Sequence, residues 1–419
     1  MRDLQQREII TNQRQVRYRR VKGPAGSGKS LALAARAAVL AREGKRVLIC
    51  TFNITLRNYL RYLVSMHARY LASRHLSDPQ IIMQNIMRQI DYLHFHAWCK
   101  RVCILADRED EYYQLWRIYD QEDEVINYRV AELVSRIYDD PLVNAVLPRY
   151  DAILVDEGQD YRLPWWQALR KAVTPAGEML LVADKTQDIY KTALVWTEKP
   201  MPGAGFHGDW MRLKTSYRLP AKIIPILQEF ANQFPSNEEA DIPIPQQRKP
   251  NLDPVILQWV QVSPEQPMGV HVNVCVEEVE CLLNDATIPN ITFLSGNKIG
   301  VAFVKEFKKR GVSVLNTFAE DNEEDYQEKD KDSRRKKLAF FQGNAKVRAT
   351  TLHSFKGWET RHLVIHVSRI KSSTDRALLY TALTRLKKHP NGSMLTIVSS
   401  CSDLRDFGFK NFRPNFKEC

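Results

Sequence analysis

Residues 23–30 decide the fold of this chain: they read GPAGSGKS, between a predicted strand at 15–22 and an Ala/Leu-rich predicted helix at 31–41. A glycine-rich turn between a strand and a helix brings backbone N–H groups toward one anion, and the helix N-terminus adds positive potential. Lysine and serine at the last two positions complete the signature of a nucleotide phosphate-binding loop. The sequence therefore predicts a parallel α/β domain that binds ATP.

Two side chains of this loop have separate predicted roles. Lys29 is expected to contact the β- and γ-phosphates, and the Ser30 hydroxyl to bind Mg²⁺. The remaining predicted phosphate contacts come from the loop around them, namely Gly23, Ala25, Gly26, Ser27 and Gly28. ATP and Mg²⁺ are therefore the predicted cofactors.

Two carboxylates follow the buried run at 152–155. Asp156 is predicted to hold Mg²⁺, directly or through water, and Glu157 to accept a proton from the attacking water. An Asp-Glu pair after a strand is often only a solvated turn. Its combination with the loop at 23–30 favours the catalytic interpretation.

Short apolar runs separated by helical patterns predict parallel strands in two series. The predicted strands lie at 46–50, 152–155, 179–182, 291–294, 313–315, 346–352, 363–367 and 394–398. The residues from 55 to 147 have mostly helical patterns, which include a predicted helical insertion at about 100–149. We expect a first α/β domain at 1–210 and a second at 211–419. A proline-rich connection at 241–254 and a charged loop at 320–337 interrupt the second domain.

Charge and cysteine content narrow the class of protein. The 419 residues carry a net charge of +12, which favours a polyanionic partner such as nucleic acid. Seven scattered cysteines without a CxxC pair indicate reduced thiols, and no apolar run approaches the ~18 residues of a spanning helix. We expect a cytoplasmic protein without membrane contact. A metal site in the stretch 94–103, which holds two histidines and two cysteines, is a weaker alternative.

The motif Asp156-Glu157-Gly158-Gln159-Asp160 resembles the DEFQD or DEGQD box of superfamily 1 helicases of the UvrD/Rep/PcrA type. The chain contains other boxes of that family in the family's order. Together the boxes span most of the chain, from Gln6 to Arg385. The resemblance implies two tandem RecA-like P-loop domains, each a parallel sheet flanked by helices. It also implies ATP-driven movement along single-stranded DNA, in the 3′→5′ direction.

In the first half, the resemblance implies that Gln6 reads adenine and that Gln187, in the box at 183–190, senses the γ-phosphate. The resemblance also implies contacts with the nucleic-acid strand in two further boxes. These contacts come from Thr51 and Phe52 in the first box and from Phe95 and His96 in the second. The stacking aromatic expected after Gln187 is displaced to Trp196, which is a candidate for the same role.

In the second half, Ser216-Tyr217-Arg218 resembles the NYR box, in which Tyr217 stacks on adenine and Arg218 reaches the γ-phosphate. The box at 351–359 implies strand contacts for His353 and Trp358 and a ribose contact for Glu359. Arg385 closes the box at 379–385, where the family has an arginine finger. Cleft closure around ATP is the implied driving step.

The chain departs from the family pattern where that family has its accessory subdomains. The insertion at 100–149 is short, and the charged loop at 320–337 stands where the large accessory subdomain belongs. Two alternatives therefore stay open: an ATPase subunit that regulates a nuclease or another effector in antiviral defence, and RNA rather than DNA as the track.

Overall fold

The computed structural model describes residues 4–12, 15–53, 56–74, 78–119, 121–184, 205–206, 208–235, 243–245, 254–284, 290–318, 335–336, 340 and 346–419. Two compact units make up the chain. The first comprises Met1–Gly23 and Gly28–Leu213, and the second comprises Pro24–Ser27 and Lys214–Cys419. Among the described residues, no helix combines the length and the apolar character needed to cross a membrane.

The first unit is built on a six-stranded sheet in which every strand pair is parallel. Its strands are β1 (Tyr18–Lys22), β2 (Val47–Thr51), β3 (Ile90–His94), β4 (Tyr150–Asp156), β5 (Val173–Ala183) and β6 (Met211–Arg212). The order across the sheet is β3-β2-β4-β5-β1-β6. This order places β4 between β2 and β5, and β5 beside β1.

Helices flank this sheet. They are α1 (Leu4–Thr11), α2 (Lys29–Arg42), α3 (Leu56–Ala72), α4 (Pro79–Arg88), α5 (Phe95–Leu105), α6 (Glu109–Ile118), α7 (Glu122–Glu124), α8 (Val130–Asp139) and α9 (Leu163–Lys171). A π-helical turn, Val125–Arg129, joins α7 to α8. Alanines fill most of the middle of α2, and their small side chains let it pack closely under the sheet.

The second unit contains a seven-stranded parallel sheet with the order β11-β12-β10-β13-β14-β9-β15. Its strands are β9 (Val255–Gln261), β10 (Ile291–Ser295), β11 (Val314–Asn316), β12 (Val347–Thr351), β13 (His362–Val367), β14 (Ser393–Ser399) and β15 (Phe416–Glu418). Two short strands, β7 (Thr215–Ser216) and β8 (Ile244–Pro245), pair separately. The helices are α10 (Ile223–Gln233), α11 (Met268–Leu283), α12 (Asn297–Lys309), α13 (Ser373–Leu383) and α14 (Arg405–Asn411).

These two parallel sheets with flanking helices confirm the predicted α/β fold and agree with two RecA-like domains. The wholly buried strands β2, β10 and β13 were predicted from their apolar runs. In the second core, Phe293 of β10 stacks on Phe303 of α12 with ring centroids 3.9 Å apart.

Six strands were not predicted from the sequence, namely β3, β6, β7, β8, β9 and β15. Ile90–His94 lies in the stretch assigned to helical patterns, but it forms edge strand β3, which is only partly buried after its first residue. Strand β9 (Val255–Gln261) directly follows the proline-rich connection, and Gln258 interrupts its apolar residues. The charged loop predicted at 320–337 lies outside the described residues except at 335–336.

Candidate nucleotide and nucleic-acid sites

The phosphate loop has the backbone that its glycines predict. Gly26 and Gly28 have φ angles of +76° and +87°, a region that residues with a Cβ seldom adopt. Gly28 is the N-cap of α2, so the helix begins at Lys29. The first N–H groups of a helix have no partner within the helix, and together with the helix dipole they favour an anion at this point.

Lys29 is buried and held by two groups of its own unit. Its Nζ donates to the Gly23 carbonyl at 2.6 Å and to Asp184 Oδ2 at 3.3 Å. Asp184, at the carboxyl end of β5, is 1% exposed. The buried ammonium group therefore has an internal carboxylate counter-ion, which compensates the loss of its hydration.

Asp156 and Glu157 lie at the carboxyl end of β4, beside β2. The Ser30 side chain is hydrogen-bonded to Asp156, so the two predicted Mg²⁺ ligands are in contact. Burial, and then the neighbouring Glu157 carboxylate, raise the pKa of Asp156. A hydroxyl and a carboxylate are oxygen ligands of the kind that Mg²⁺ prefers, so this pair fits the cation.

Glu157 stands in an unusual backbone conformation. Its φ and ψ are +54° and +44°, in the left-handed region, and its side chain is only 7% exposed. The Gln159 amide donates to the Glu157 carboxylate, and the Glu157 N–H donates to Asp156 Oδ1 at 3.0 Å. These bonds fix the carboxylate that the sequence predicts to accept the proton of the attacking water.

Gln159 and Asp184 are site residues to which the sequence analysis assigned no role. The fully buried Gln159 accepts the Asp184 N–H at 3.0 Å through Oε1 and donates to Glu157 through its amide nitrogen. It therefore joins the end of β4 to the end of β5. Both residues lie inside boxes that the sequence analysis recognised at 156–160 and 183–190, so their positions were the available signal.

Gln6 of α1 also lies against the phosphate loop. It is 3% exposed, and its Nε2 lies 2.5 Å from where a Cβ on Gly28 would stand. The left-handed glycine therefore has a second function, since it leaves room for this amide. Gln187, the other predicted nucleotide-sensing glutamine, lies outside the described residues.

In the second unit, the Pro24–Ser27 stretch lies against the predicted NYR box. The Tyr217 N–H donates to the Gly26 carbonyl at 2.9 Å. A Cβ on Gly26 would stand 2.5 Å from Ser216 Oγ and 2.8 Å from Arg218 Cβ. Glycine at position 26 is therefore required by close approach as well as by its positive φ.

Arg218, Glu359 and Arg385 come together in the second unit, as the sequence predicts for one ligand site. Arg218 Nη1 lies 3.7 Å from Glu359 Oε2, and Arg218 Nη2 donates to the Thr384 carbonyl at 2.9 Å. Burial alone raises the pKa of Glu359, but the nearby Arg218 and Lys387 outweigh burial and lower it. Glu359 is therefore an anion whose charge these cations balance.

Arg385 is almost completely buried in this arrangement, at 2% exposure. Its guanidinium donates to the Thr381 and Trp358 carbonyls at 3.0 and 3.4 Å, and to Thr384 Oγ1 at 2.9 Å. A finger role requires at least part of the guanidinium to leave these acceptors. That role of Arg385 stays a prediction.

The predicted base-stacking roles of Phe95 and Trp358 disagree with their burial, and we correct them. Phe95 is 0% exposed and stacks on Trp165 at 4.4 Å with an interplanar angle of 8°. Trp358 is 5% exposed and meets Phe340 edge-on. Neither ring presents a face to a base here. Thr51 is buried too, at the end of β2.

Other predicted strand-contacting residues stay accessible. Phe52 is partly exposed and lies on Trp165 with centroids 5.8 Å apart, and His353 is exposed. The half-buried His96 is bound through Nε2 to the Ile126 carbonyl at 3.0 Å. Trp165, which the sequence analysis did not connect with this site, supports both Phe52 and Phe95. Trp196 lies outside the described residues.

The weaker metal alternative at 94–103 finds no support in this part of the chain. His94 Nδ1 accepts the Ala97 N–H at the start of α5, and Cys99 and Cys103 are buried in the first core. Within the ranges that the structure describes, no three His, Cys, Asp or Glu side chains are grouped so that they could hold a metal ion.

Comparison with known families agrees with the geometry of the first unit. Residues 6–193, less than half of the chain, match the family model of an AAA domain. The match contains the loop at 23–30, Asp156, Glu157 and Asp184. The chain is thus similar over this stretch to a P-loop nucleotide-binding domain of the type found in NTPases. No curated protein matches the chain.

Proposed function

We propose that the chain is an ATP-dependent translocase or helicase on single-stranded DNA that moves 3′→5′. The observation that carries the ATPase part is the arrangement around Lys29. Ser30 contacts Asp156, while Gln159 links Glu157 to Asp184, which in turn binds Lys29. The direction of movement rests only on the resemblance to superfamily 1 helicases.

The residues of the first unit suit phosphoryl transfer to water, which depends mainly on positioning and charge stabilisation. Lys29 exchanges its Asp184 partner for phosphate oxygens. The Glu157 carboxylate, held by Gln159, orients the attacking water and accepts its proton. Ser30 and Asp156 would hold Mg²⁺, whose charge would neutralise the transferring phosphoryl group.

Support for a nucleic-acid track comes from charge and from accessible rings. The chain carries a net charge of +12. Phosphate contacts by basic residues release counterions, so binding of a strand should weaken steeply as salt rises. Phe52 presents a partly exposed ring beside Trp165, and base stacking on such a ring contributes about 1–3 kcal/mol.

One experiment tests the proposal: steady-state ATP hydrolysis measured in parallel with single-stranded DNA, duplex DNA and RNA. Single-stranded DNA should stimulate hydrolysis most, and Glu157→Gln should abolish it while nucleotide binding persists. A rate that none of the three nucleic acids changes would overturn the translocase proposal. Stronger stimulation by RNA than by DNA would indicate that RNA is the track.

A second candidate is an ATPase subunit that regulates a nuclease or another defence effector. The observation that favours it is the short helical segment from α6 to α8, where a family motor carries an accessory subdomain. Native mass measurement of the protein purified with a co-expressed nuclease tests this candidate. A chain that stays monomeric and is fully stimulated by DNA alone would contradict it.

A further inference from the structure

A buried polar cluster lies in the first unit apart from the residues that face phosphate. It consists of Arg19 on β1, Arg36 on α2 and Glu178 on β5, with Asn12 beside them, all between 7% and 9% exposed. Arg36 binds Glu178 through two parallel bonds, Nε to Oε1 at 2.9 Å and Nη2 to Oε2 at 2.7 Å. Arg19 and Asn12 donate to the same carboxylate at 3.2 and 3.0 Å.

One further nitrogen of each guanidinium group, Nη1, holds the end of α1. Arg19 Nη1 donates to the Ile9 carbonyl at 2.8 Å, and Arg36 Nη1 donates to the Ile10 carbonyl at 3.0 Å. The last carbonyls of a helix have no partner within the helix, and positive charge is favourable there. An eight-residue helix is not stable alone, so these bonds fix where α1 lies.

The position of α1 in turn determines the position of Gln6. Gln6 lies about one helical turn before Ile10 and places its amide against Gly28 of the phosphate loop. An amide presents a donor and an acceptor side by side, which matches the N6 and N7 edge of adenine only when the amide is fixed. A rotation of α1 would therefore disturb recognition of the base more than contact with the phosphates.

We propose that Arg19, Arg36 and Glu178 are positioning residues that fix Gln6 and thereby set the preference of the site for adenine nucleotides. This inference rests on the proposed ATPase function and on the base-reading role of Gln6. The cluster touches no phosphate-facing side chain among the contacts described above. Its effect should therefore appear in KM and in nucleobase selectivity, and less in kcat.

The test measures kcat and KM for ATP and GTP in four proteins: wild type, Arg36→Lys, Gln6→Ala and the double variant. Lysine keeps the charge but cannot make the two parallel bonds to Glu178. Arg36→Lys should raise KM for ATP and lower the ATP-over-GTP preference by about tenfold, since a site built for hydrogen bonds loses discrimination when they are misplaced. In the Gln6→Ala background, the same change should leave selectivity unaltered.

A matched control is Arg101→Lys, which alters another arginine–carboxylate contact of the first unit, 3.2 Å from Asp91. It should leave nucleobase preference unchanged. The inference is overturned if Arg36→Lys lowers thermal stability but keeps full ATP preference, or if its effect on selectivity persists without Gln6. If Arg36→Lys does not fold, Glu178→Gln and Arg19→Lys are measured in the same way and decide by the same outcomes.

These results separate the inference from the proposed function. A wild-type protein that hydrolyses neither nucleotide, with or without DNA, contradicts the proposed function. A wild-type protein that hydrolyses ATP and GTP equally well is still an NTPase, but it contradicts the positioning of Gln6 for adenine.

Discussion

The Lys29 ammonium group lies 3.3 Å from the Asp184 carboxylate, and both side chains are buried at the carboxyl edge of the first sheet. The phosphate loop thus carries its own counter-ion before any nucleotide binds. Removing one member of such a pair is more damaging than removing both, because it leaves a buried charge without its partner.

Lys29→Ala should therefore lower the free energy of unfolding of the nucleotide-free protein by up to about 3 kcal/mol. The double variant Lys29→Ala with Asp184→Asn should recover most of that loss. Urea unfolding of wild type, both single variants and the double variant forms a double-mutant cycle. A double variant whose loss of stability equals the sum of the two single losses would show that the pair is not coupled.

Gly28→Ala should weaken nucleotide binding, because the new Cβ meets the Gln6 amide at 2.5 Å and the φ of +87° disfavours alanine. A loss of at least about 1.4 kcal/mol, a tenfold rise in Kd, is expected in a titration with a fluorescent ATP analogue. Gly44→Ala is the matched control: its φ is +77°, but no atom lies within 4 Å of the added Cβ. Similar Kd values for the two variants would contradict the close approach of Gln6.

Phe52→Ala and Phe95→Ala should separate strand binding from packing. Phe52→Ala should reduce affinity for single-stranded DNA by about 1–3 kcal/mol and leave thermal stability nearly unchanged. Phe95→Ala should instead destabilise the fold by about 3–5 kcal/mol, since its fully buried ring stacks on Trp165. The affinity for single-stranded DNA and the melting temperature, both measured on each variant, distinguish the two roles. A stable Phe95→Ala protein with lost strand binding would restore the original prediction for Phe95.

Glu178 should make stability depend on pH. Burial raises its pKa, but the hydrogen bonds and charges of Arg36 and Arg19 outweigh burial, so the pKa is lowered in the folded protein. Its contribution is present above the ordinary carboxylate pKa and is lost as pH falls through the lowered value.

Glu178→Gln should consequently reduce the melting temperature at pH 7 and reduce it less at about pH 3, which lies below the ordinary carboxylate pKa of about 4.3. Glu306→Gln is the control, because Lys309 and Arg310 lower the pKa of that partly exposed carboxylate as well. It should change stability little at either pH. A Glu178→Gln effect that is the same at both pH values would contradict the linkage.

Thiol reactivity should report the packing of both units. Burial raises the pKa of Cys50 and Cys103 to about 12, and the Cys99 and Cys275 thiols are buried as well. Only Cys281 and Cys419 are exposed. A native titration with a disulfide reagent should therefore show two fast thiols, and all seven after denaturation. A Cys281→Ser/Cys419→Ser variant should show no fast thiol.

The sequence predicts the strands that are buried on both faces better than the edge strands. The run 152–155 contains only apolar residues, and 363–367 contains a single polar one, His366, so burial could be recognised locally. Edge strand β3 has the sequence IDYLH and needs only one neighbour, β2, to form. That pairing is a tertiary contact that local periodicity does not reveal.

The sequence likewise predicts some features of the candidate site and not others. The identities of Lys29, Ser30, Asp156 and Glu157 follow from motif spacing, because the chemistry of phosphate and Mg²⁺ restricts which residues suffice. The contacts of Lys29 with Asp184 and of Gln6 with Gly28 join distant segments, so no spacing predicts them. The burial of Phe95 was missed because its box indicates a location along the chain and not the direction of the side chain.

The left-handed backbone at Glu157 sets stability against activity at one position. A residue with a Cβ at φ +54° carries a conformational penalty of about 1–2 kcal/mol, which the surrounding hydrogen bonds must offset. Glycine at this position would relax the turn, yet it would remove the carboxylate. A search for thermostable variants that ignored hydrolysis would thus favour an inactive protein at residue 157.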